Sequence, residues 1–433
     1  MMRFLLNLFI FFCVVFSNAQ ETLSPQQAVE TALENNYQIR IASNIVEMTK
    51  THNEWGNTNA LPNVEGVFNY NKTDMNTTLT QMDGTEREIP NNKGMNMNYG
   101  INLGWTIFDG MGMFAQKKQL DELQKQGETQ LQLIVLNRVA DVLSTYYMIV
   151  QQQQLLQAID TAIVISQERY ELANNRYKIG KASKLEVLNA QVDLNTDKTN
   201  YLTQKQQYEN IKIFLNELLA REVNTPFVVE KQVELDEKLL FEDLMLLAKE
   251  QNPDLQLALI EKKIAEFELK KVKANRLPKI DLRGGYNITD SESSFGFTTA
   301  SNSKGWNYGL GATLNIFDGF SQNRNERIAK LQLENSDITI KEREQSINSR
   351  LATTYQTYIT NLELVKLEEN NEEIAKENLD ITLEKFRIGR ITTVEFRAAQ
   401  LNYIQAITRS SIAKFQAKLS EISLKELTGS LTF

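Results

Sequence analysis

An α+β membrane protein built from two copies of one half-molecule is what this 433-residue chain encodes. Three observations lead there. Short patterns recur in the same order: Leu61-Pro62 with Tyr70-Asn71 returns as Leu277-Pro278 with Tyr286-Asn287, and Asn98-Tyr99-Gly100 with Phe108-Asp109-Gly110 returns as Asn307-Tyr308-Gly309 with Phe317-Asp318-Gly319. The period is about 210 residues, too long for a solenoid unit. Ahead of each Phe-Asp-Gly the chain alternates apolar and polar residues, and after it comes a long stretch poor in glycine and proline.

Taken from the N-terminus, Met1, Met2 and Arg3 precede an apolar run from Phe4 to Phe16 and then Ser17-Asn18-Ala19. A charged start, a short greasy stretch and small residues at the end describe a secretory leader, residues 1-19, cleaved after Ala19. About 13 apolar residues are too few to span a bilayer. The only cysteine, Cys13, lies inside this leader, so thiol chemistry is excluded from the mature chain. No later run approaches about 18 uninterrupted apolar residues, so no transmembrane helix is expected. With 47 Lys+Arg against 55 Asp+Glu the balance is mildly acidic and offers no basic face to nucleic acid.

The first repeat is read as residues 20-220, with a short helix, a β-hairpin over 61-108, a long helix over 110-178 and a return helix over 184-219. The second is 221-433, with a hairpin over 277-317, a long helix over 320-387 and a return helix over 393-428. Ser24-Pro25 and Asn252-Pro253 supply an N-cap and a proline at the first turn for the short helices.

Met95, Met97, Tyr99, Ile101, Leu103, Trp105 and Ile107 alternate with Asn96, Asn98, Gly100, Asn102, Gly104 and Thr106. Trp306, Tyr308, Leu310, Ala312, Leu314 and Ile316 alternate with Asn307, Gly309, Gly311, Thr313 and Asn315 in the same way. Period two predicts strands. Their length, the Tyr and Trp near their ends and a polar face of Asn, Gly and Thr suit an outer-membrane barrel with a wet lumen. The partner strands are Val64 to Tyr70 and Ile280 to Ile288. Four strands cannot close a barrel, and lipid tolerates no open edge, so sister copies must complete it.

Asp109 and Asp318 are N-cap residues that send each strand directly into a helix. A helix over 110-178 would be about 100 Å long. Leu136, Ala140, Leu143, Tyr147 and Val150, then Ile159, Ile163, Tyr170, Ala173 and Tyr177, give coiled-coil spacing with one phase slip. Ile179-Gly180-Lys181 and Ile388-Gly389-Arg390 stop the long helices, and Ser183 and Thr392 start the return helices.

The leader, the two-fold repeat, the Leu-Pro before the first strand of each pair, Phe-Asp-Gly after the second and the Tyr/Phe-x-Ile-Gly turns together resemble the TolC-type outer-membrane efflux protein family. So does Ala32-Leu33-Glu34-Asn35-Asn36, echoed at Ala248 to Leu255. The resemblance covers essentially the whole mature chain. It implies a homotrimer in the outer membrane of a Gram-negative bacterium. Its β-barrel would be twelve-stranded, four strands per chain, continued by a long antiparallel α-helical barrel in the periplasm. It further implies an exit duct working with a periplasmic adaptor (membrane fusion) protein and an inner-membrane transporter of the RND, ABC or MFS type. By the same resemblance the turns Ile179, Gly180, Lys181 and Ile388, Gly389, Arg390 face the adaptor, and the pore narrows beside them. The matching acidic positions are Glu186 and Glu395. The family's second acidic position falls on Asn189 and Ala398, a departure, and its latch arginine falls on Ile391.

A ring of pore-lining glutamates would favour cations; as solvated helix-face residues they would do nothing of the kind. Gly110-Met111-Gly112-Met113-Phe114-Ala115 fits the dinucleotide G-x-G-x-x-A pattern, but its repeat copy lacks the second glycine and the preceding strand alternates. Nucleotide binding is rejected. His52 is the only histidine, and no triad or metal-ligand spacing occurs, so no catalytic, cofactor or metal site is expected. The alternative from another class is a structural or adhesive trimeric coiled-coil stalk without transport.

Overall fold

A computed structural model describes residues 21–431. The predicted leader, 1–19, lies outside them. Two compact units emerge: one contains the residues up to Asn44, Thr129–Gln256 and those from Glu342 onward, the other Ile45–Glu128 and Leu257–Lys341.

Along the chain run β1 (Glu21–Leu23), α1 (Pro25–Asn35), α2 (Tyr37–His52), a 3-10 turn (Trp55–Thr58), β2 (Asn63–Thr80), β3 (Glu86–Asp109), α3 (Gly112–Lys178) and α4 (Lys184–Leu218). They are followed by β4 (Phe227–Val229), α5 (Phe241–Gln251), α6 (Pro253–Ala274), β5 (Lys279–Ser293), β6 (Ala300–Thr313), α7 (Ser321–Arg387) and α8 (Thr393–Thr428). Helices α3 and α7 each have 67 residues, about 100 Å at 1.5 Å per residue.

The first unit is helical around a small parallel pair, β1 with β4. Its core is formed by Leu23, Leu136, Val139, Leu143, Tyr146, Ile149, Leu215 and Phe227 among others. Tyr146 is wholly buried; its hydroxyl donates to Leu23 O at 2.8 Å and accepts from Glu230 N at 2.9 Å, so the phenol is satisfied on both counts. One stretch of α3 is long and apolar enough to cross a membrane by composition alone. Half of it is buried inside the molecule, and Leu136, Val139, Val142 and Leu143 there are core residues, which accounts for its greasiness.

Two asparagines do the same work in both repeats. Asn36 Nδ2 donates to Leu218 O at 2.9 Å and Asn252 Nδ2 to Leu427 O at 2.8 Å, while their Oδ1 atoms accept from Gln38 N and Leu255 N. Each thus caps the helix it begins and satisfies a last-turn carbonyl of a return helix.

The second unit holds an antiparallel sheet in the order β2-β3-β5-β6. Its apolar face includes Phe68, Tyr99, Ile101, Tyr286 and Trp306, with Ile101 opposite Tyr286 and Tyr286 opposite Trp306. The first hairpin extends beyond the alternating pattern, whereas β6 ends at Thr313, short of the expected 317, so Leu314 and Ile316 lie outside the strand. β2 reaches Thr80 and β3 begins at Glu86, in polar sequence without period-two hydrophobicity. Pro90 fits there because β5 does not pair beyond Gly94, and a register shift lies opposite, between Met75 and Thr77.

Helix boundaries differ from the sequence reading in two places. Asp109 and Asp318 do not feed straight into helices: Gly110-Met111 (φ 73 and 70) and Gly319-Phe320 (φ 65 and 64) make a left-handed corner first. The aspartates reach over that corner, accepting from Met113 N at 3.1 Å and Gln322 N at 2.7 Å. Helix α2 ends at His52, short of the hairpin expected from 61, since Asn53 is held by α3 through Lys117 Nζ and Gln124 Oε1.

Candidate functional site

Two surfaces are candidates for function, one in each unit. On the sheet, the polar face presents Asn98, Asn102, Asn287 and Asn307 among glycines. Asn287 Nδ2 donates to Asn102 Oδ1 and to Asn307 Oδ1, both at 3.1 Å. Glycine makes room for this row: a Cβ on Gly100 would stand 2.3 Å from Asn287 Oδ1, and one on Gly285 2.4 Å from Asn102 Oδ1. Small, neutral and hydrogen-bonding, such a face is suited to bordering water.

In the helical unit the two turns share one construction. Lys181 N bonds to Arg176 O at 2.8 Å and Gly180 N to Tyr177 O at 3.0 Å; Arg390 N to Lys385 O and Gly389 N to Phe386 O repeat the pattern. Gly180 (φ 73) and Gly389 (φ 75) take the left-handed position that this helix ending needs. Ile179 and Ile388 stand 67% and 65% exposed, and Leu185 and Val394, their neighbours past each turn, are also exposed.

The turns are tied together. Arg176 donates to Phe386 O at 2.8 Å while its guanidinium lies over the Phe386 ring, which stacks on Phe396 at 5.0 Å. Arg387 pairs with Glu168 through Nε at 2.8 Å. Glu395 turns back on its own helix, accepting from Thr392 N at 2.8 Å in a complete capping box. The Thr392 N–H and the Thr392 hydroxyl, which donates at 3.0 Å, hold its carboxyl below the usual carboxylate range. Glu186 occupies the matching place after Ser183 yet makes no reciprocal cap; its Oε1 accepts from Thr393 Oγ1 at 2.8 Å. Asn189 is exposed on α4, as is Ala398 on α8.

Sequence reasoning missed a polar cluster further along the same helices. Arg397 donates to both Asp197 oxygens at 2.8 Å; Ser166 donates to Asp197 at 2.5 Å and Gln400 to Ser166 at 2.9 Å. Arg169, fully buried, pairs with Asp193. These side chains join α3, α4 and α8, and only three-dimensional proximity distinguishes them from surface charges. Among the described residues no group of three or more His, Cys, Asp or Glu side chains is placed to hold a metal ion.

An amphipathic antiparallel sheet together with paired helices of this length is the architecture of TolC-like outer-membrane channels. The chain belongs to the outer membrane efflux protein family, matching it over residues 28–221 and 244–430. No curated protein matches it in sequence. Solved structures share the fold: the CmeC outer membrane channel of Campylobacter jejuni (18% identity, 94% of this chain and 85% of that one, TM-score 0.78). The MtrE outer membrane channel of Neisseria gonorrhoeae, in its open state, follows at 16% identity, 94% and 89% coverage and a TM-score of 0.74. The outer membrane protein VceC of Vibrio cholerae gives 12%, 94%, 96% and 0.73. The protein is therefore an outer membrane efflux protein that shares the fold of these channels.

Proposed function

We propose that this protein is the passive exit duct of a tripartite efflux or secretion system. It works as a homotrimer whose two-fold internal repeat supplies two hairpins per chain to a twelve-stranded barrel, continued by a helical barrel in the periplasm. The supporting observation is the pair of free sheet edges. β2 and β6 each have a neighbour on one side only, and β6 is exposed along its whole length. Apolar hydrocarbon leaves unpaired N–H and C=O groups no partner, so such a sheet enters a membrane only when copies close it. Three copies give a barrel within the size range of outer-membrane proteins.

At the helical turns, Ile179, Gly180, Lys181, Ile388, Gly389 and Arg390 form the surface offered to a periplasmic adaptor. The repeated exposure of Ile179 and Ile388 supports this, since apolar side chains of that size at a helix end gain by being covered. Glu186, Asn189 and Glu395 line the constriction, where carboxylates repeated by symmetry favour cations. Substrate crosses by diffusion, and an inner-membrane transporter of the RND, ABC or MFS type provides the driving force.

Planar-bilayer recording tests the reading. Purified protein should give stepwise, cation-preferring conductance, and E186Q/E395Q should reduce that preference. Protein that never conducts, even with both helical turns cut away, overturns the duct.

A further inference from the structure

The internal repeat allows the contact between sister copies to be read from a contact already present within one chain. β3 and β5 are the neighbouring strands of successive repeats, and their register is fixed: Gly100 opposite Asn287, Ile101 opposite Tyr286, Asn102 opposite Gly285. β6 is the repeat counterpart of β3, and β2 that of β5. Replacing each residue by its counterpart converts these pairs to Gly309 with Asn71, Leu310 with Tyr70, and Gly311 with Asn69.

We infer that β6 of one copy pairs antiparallel with β2 of the next in this register; the inference rests on the proposed closure by copies and specifies its contact. Three observations carry it.

Faces agree first. Leu310 meets Tyr70, and Ala312 meets Phe68, apolar against apolar, while Gly309, Gly311, Asn71 and Asn69 share the polar face. A slip by one residue would mix them.

Asparagine and glycine are also complementary in each pair. Within the chain Asn287 fills the space above Gly100, and Asn102 that above Gly285. Across copies the second pair has exchanged its members, Gly311 now facing Asn69, yet each pair still sets one asparagine against one glycine. Around Gly309 and Gly311 nothing lies within 4 Å of an added Cβ, as expected if their fillers come from another copy.

The corner beyond the strand repeats the argument. A Cβ on Gly110 would meet Ala274 O at 2.3 Å and Leu277 Cβ at 2.8 Å, so the end of α6 sits on that corner. Gly319 has no such cover, while Thr58 and Leu61, the counterparts of Ala274 and Leu277, end in an exposed Leu61. The next copy's Thr58–Leu61 segment therefore covers Gly319.

Cysteine pairs test the register in full-length protein carrying Cys13→Ser. Directly opposed residues have Cβ atoms about 4.5–5.5 Å apart, and diagonal ones about 7–8 Å, beyond disulfide reach. G309C/N71C and L310C/Y70C, oxidised in membranes with copper-phenanthroline, should give reductant-sensitive ladders of two and three linked copies; G309C/N69C should not. An asparagine swap provides a second measurement without cysteine: G309N should lose the oligomer in mild detergent, and G309N/N71G should regain it. Linkage only in the shifted pair, or an oligomer that neither links nor responds to the swap, overturns this register while leaving closure by copies intact. A parent protein that is monomeric by light scattering overturns closure itself.

Discussion

Arg397 on α8 holds Asp197 on α4 by two parallel hydrogen bonds of 2.8 Å, with both side chains largely withdrawn from solvent. Removing one partner leaves a desolvated charge, which costs about 3–5 kcal/mol. D197A should therefore lower the thermal unfolding midpoint of the detergent-solubilised protein sharply. Replacing both partners, as in D197L/R397M, should cost much less, because no charge is then stranded.

Asn36 and Asn252 are predicted to be equally sensitive. N36A and N252A each remove a cap acceptor and leave a return-helix carbonyl, Leu218 O or Leu427 O, without its bond. Each should destabilise the protein by about 1–3 kcal/mol in denaturant titrations, whereas N44A, at an exposed position of α2, should change little.

Ala220 (φ 51) ends α4 in the left-handed region where its repeat counterpart Gly429 (φ 71) ends α8. A Cβ there is disfavoured by about 1–2 kcal/mol. A220G should raise the unfolding midpoint, and G429A should lower it further than strain alone, since a Cβ would lie 2.6 Å from Gln251 O.

Burial pushes the Tyr147 phenol up to about 12, with Glu421 and Glu234 adding to the shift. The folded state therefore prefers the neutral phenol. The stability this contributes is fully present below the unfolded value of about 10 and is lost as pH rises through the folded one. An alkaline titration followed by phenolate absorbance and circular dichroism should show late ionisation together with helix loss; Y147F should blunt that loss.

Charging the apolar turns should separate docking from conduction. I179D/I388D should leave bilayer conductance unchanged and weaken adaptor binding by about tenfold or more, as buried apolar anchors commonly do. Surface-immobilised adaptor binding measured beside single-channel recording reads both.

Much of the architecture was legible because it rests on periodicity. Alternation marked Met95 to Ile107 and Trp306 to Thr313, though it ran on to Ile316 past the end of β6, and Gly180 and Gly389 marked the turns, since few other residues take their backbone angles. Three features left no such trace. β1 and β4 are three-residue strands, too short for a pattern. The polar ends of β2 and β3 are held by backbone ladders rather than by side-chain burial. Arg169, Asp193, Asp197 and Arg397 are spaced like ordinary surface charges and become a buried cluster only when three helices meet. At the turns, Glu186 and Glu395 were legible as matching acidic positions, but not that one caps its own helix while the other bonds to Thr393.

That unequal use of two equivalent glutamates makes the turns mechanically different. The hairpin ending at Thr392 is locked by its own reciprocal cap, whereas the one ending at Ser183 has lent its carboxylate to its neighbour. In the ring proposed above, capped corners would then alternate with uncapped ones, and its aperture would yield at every second hairpin instead of dilating evenly.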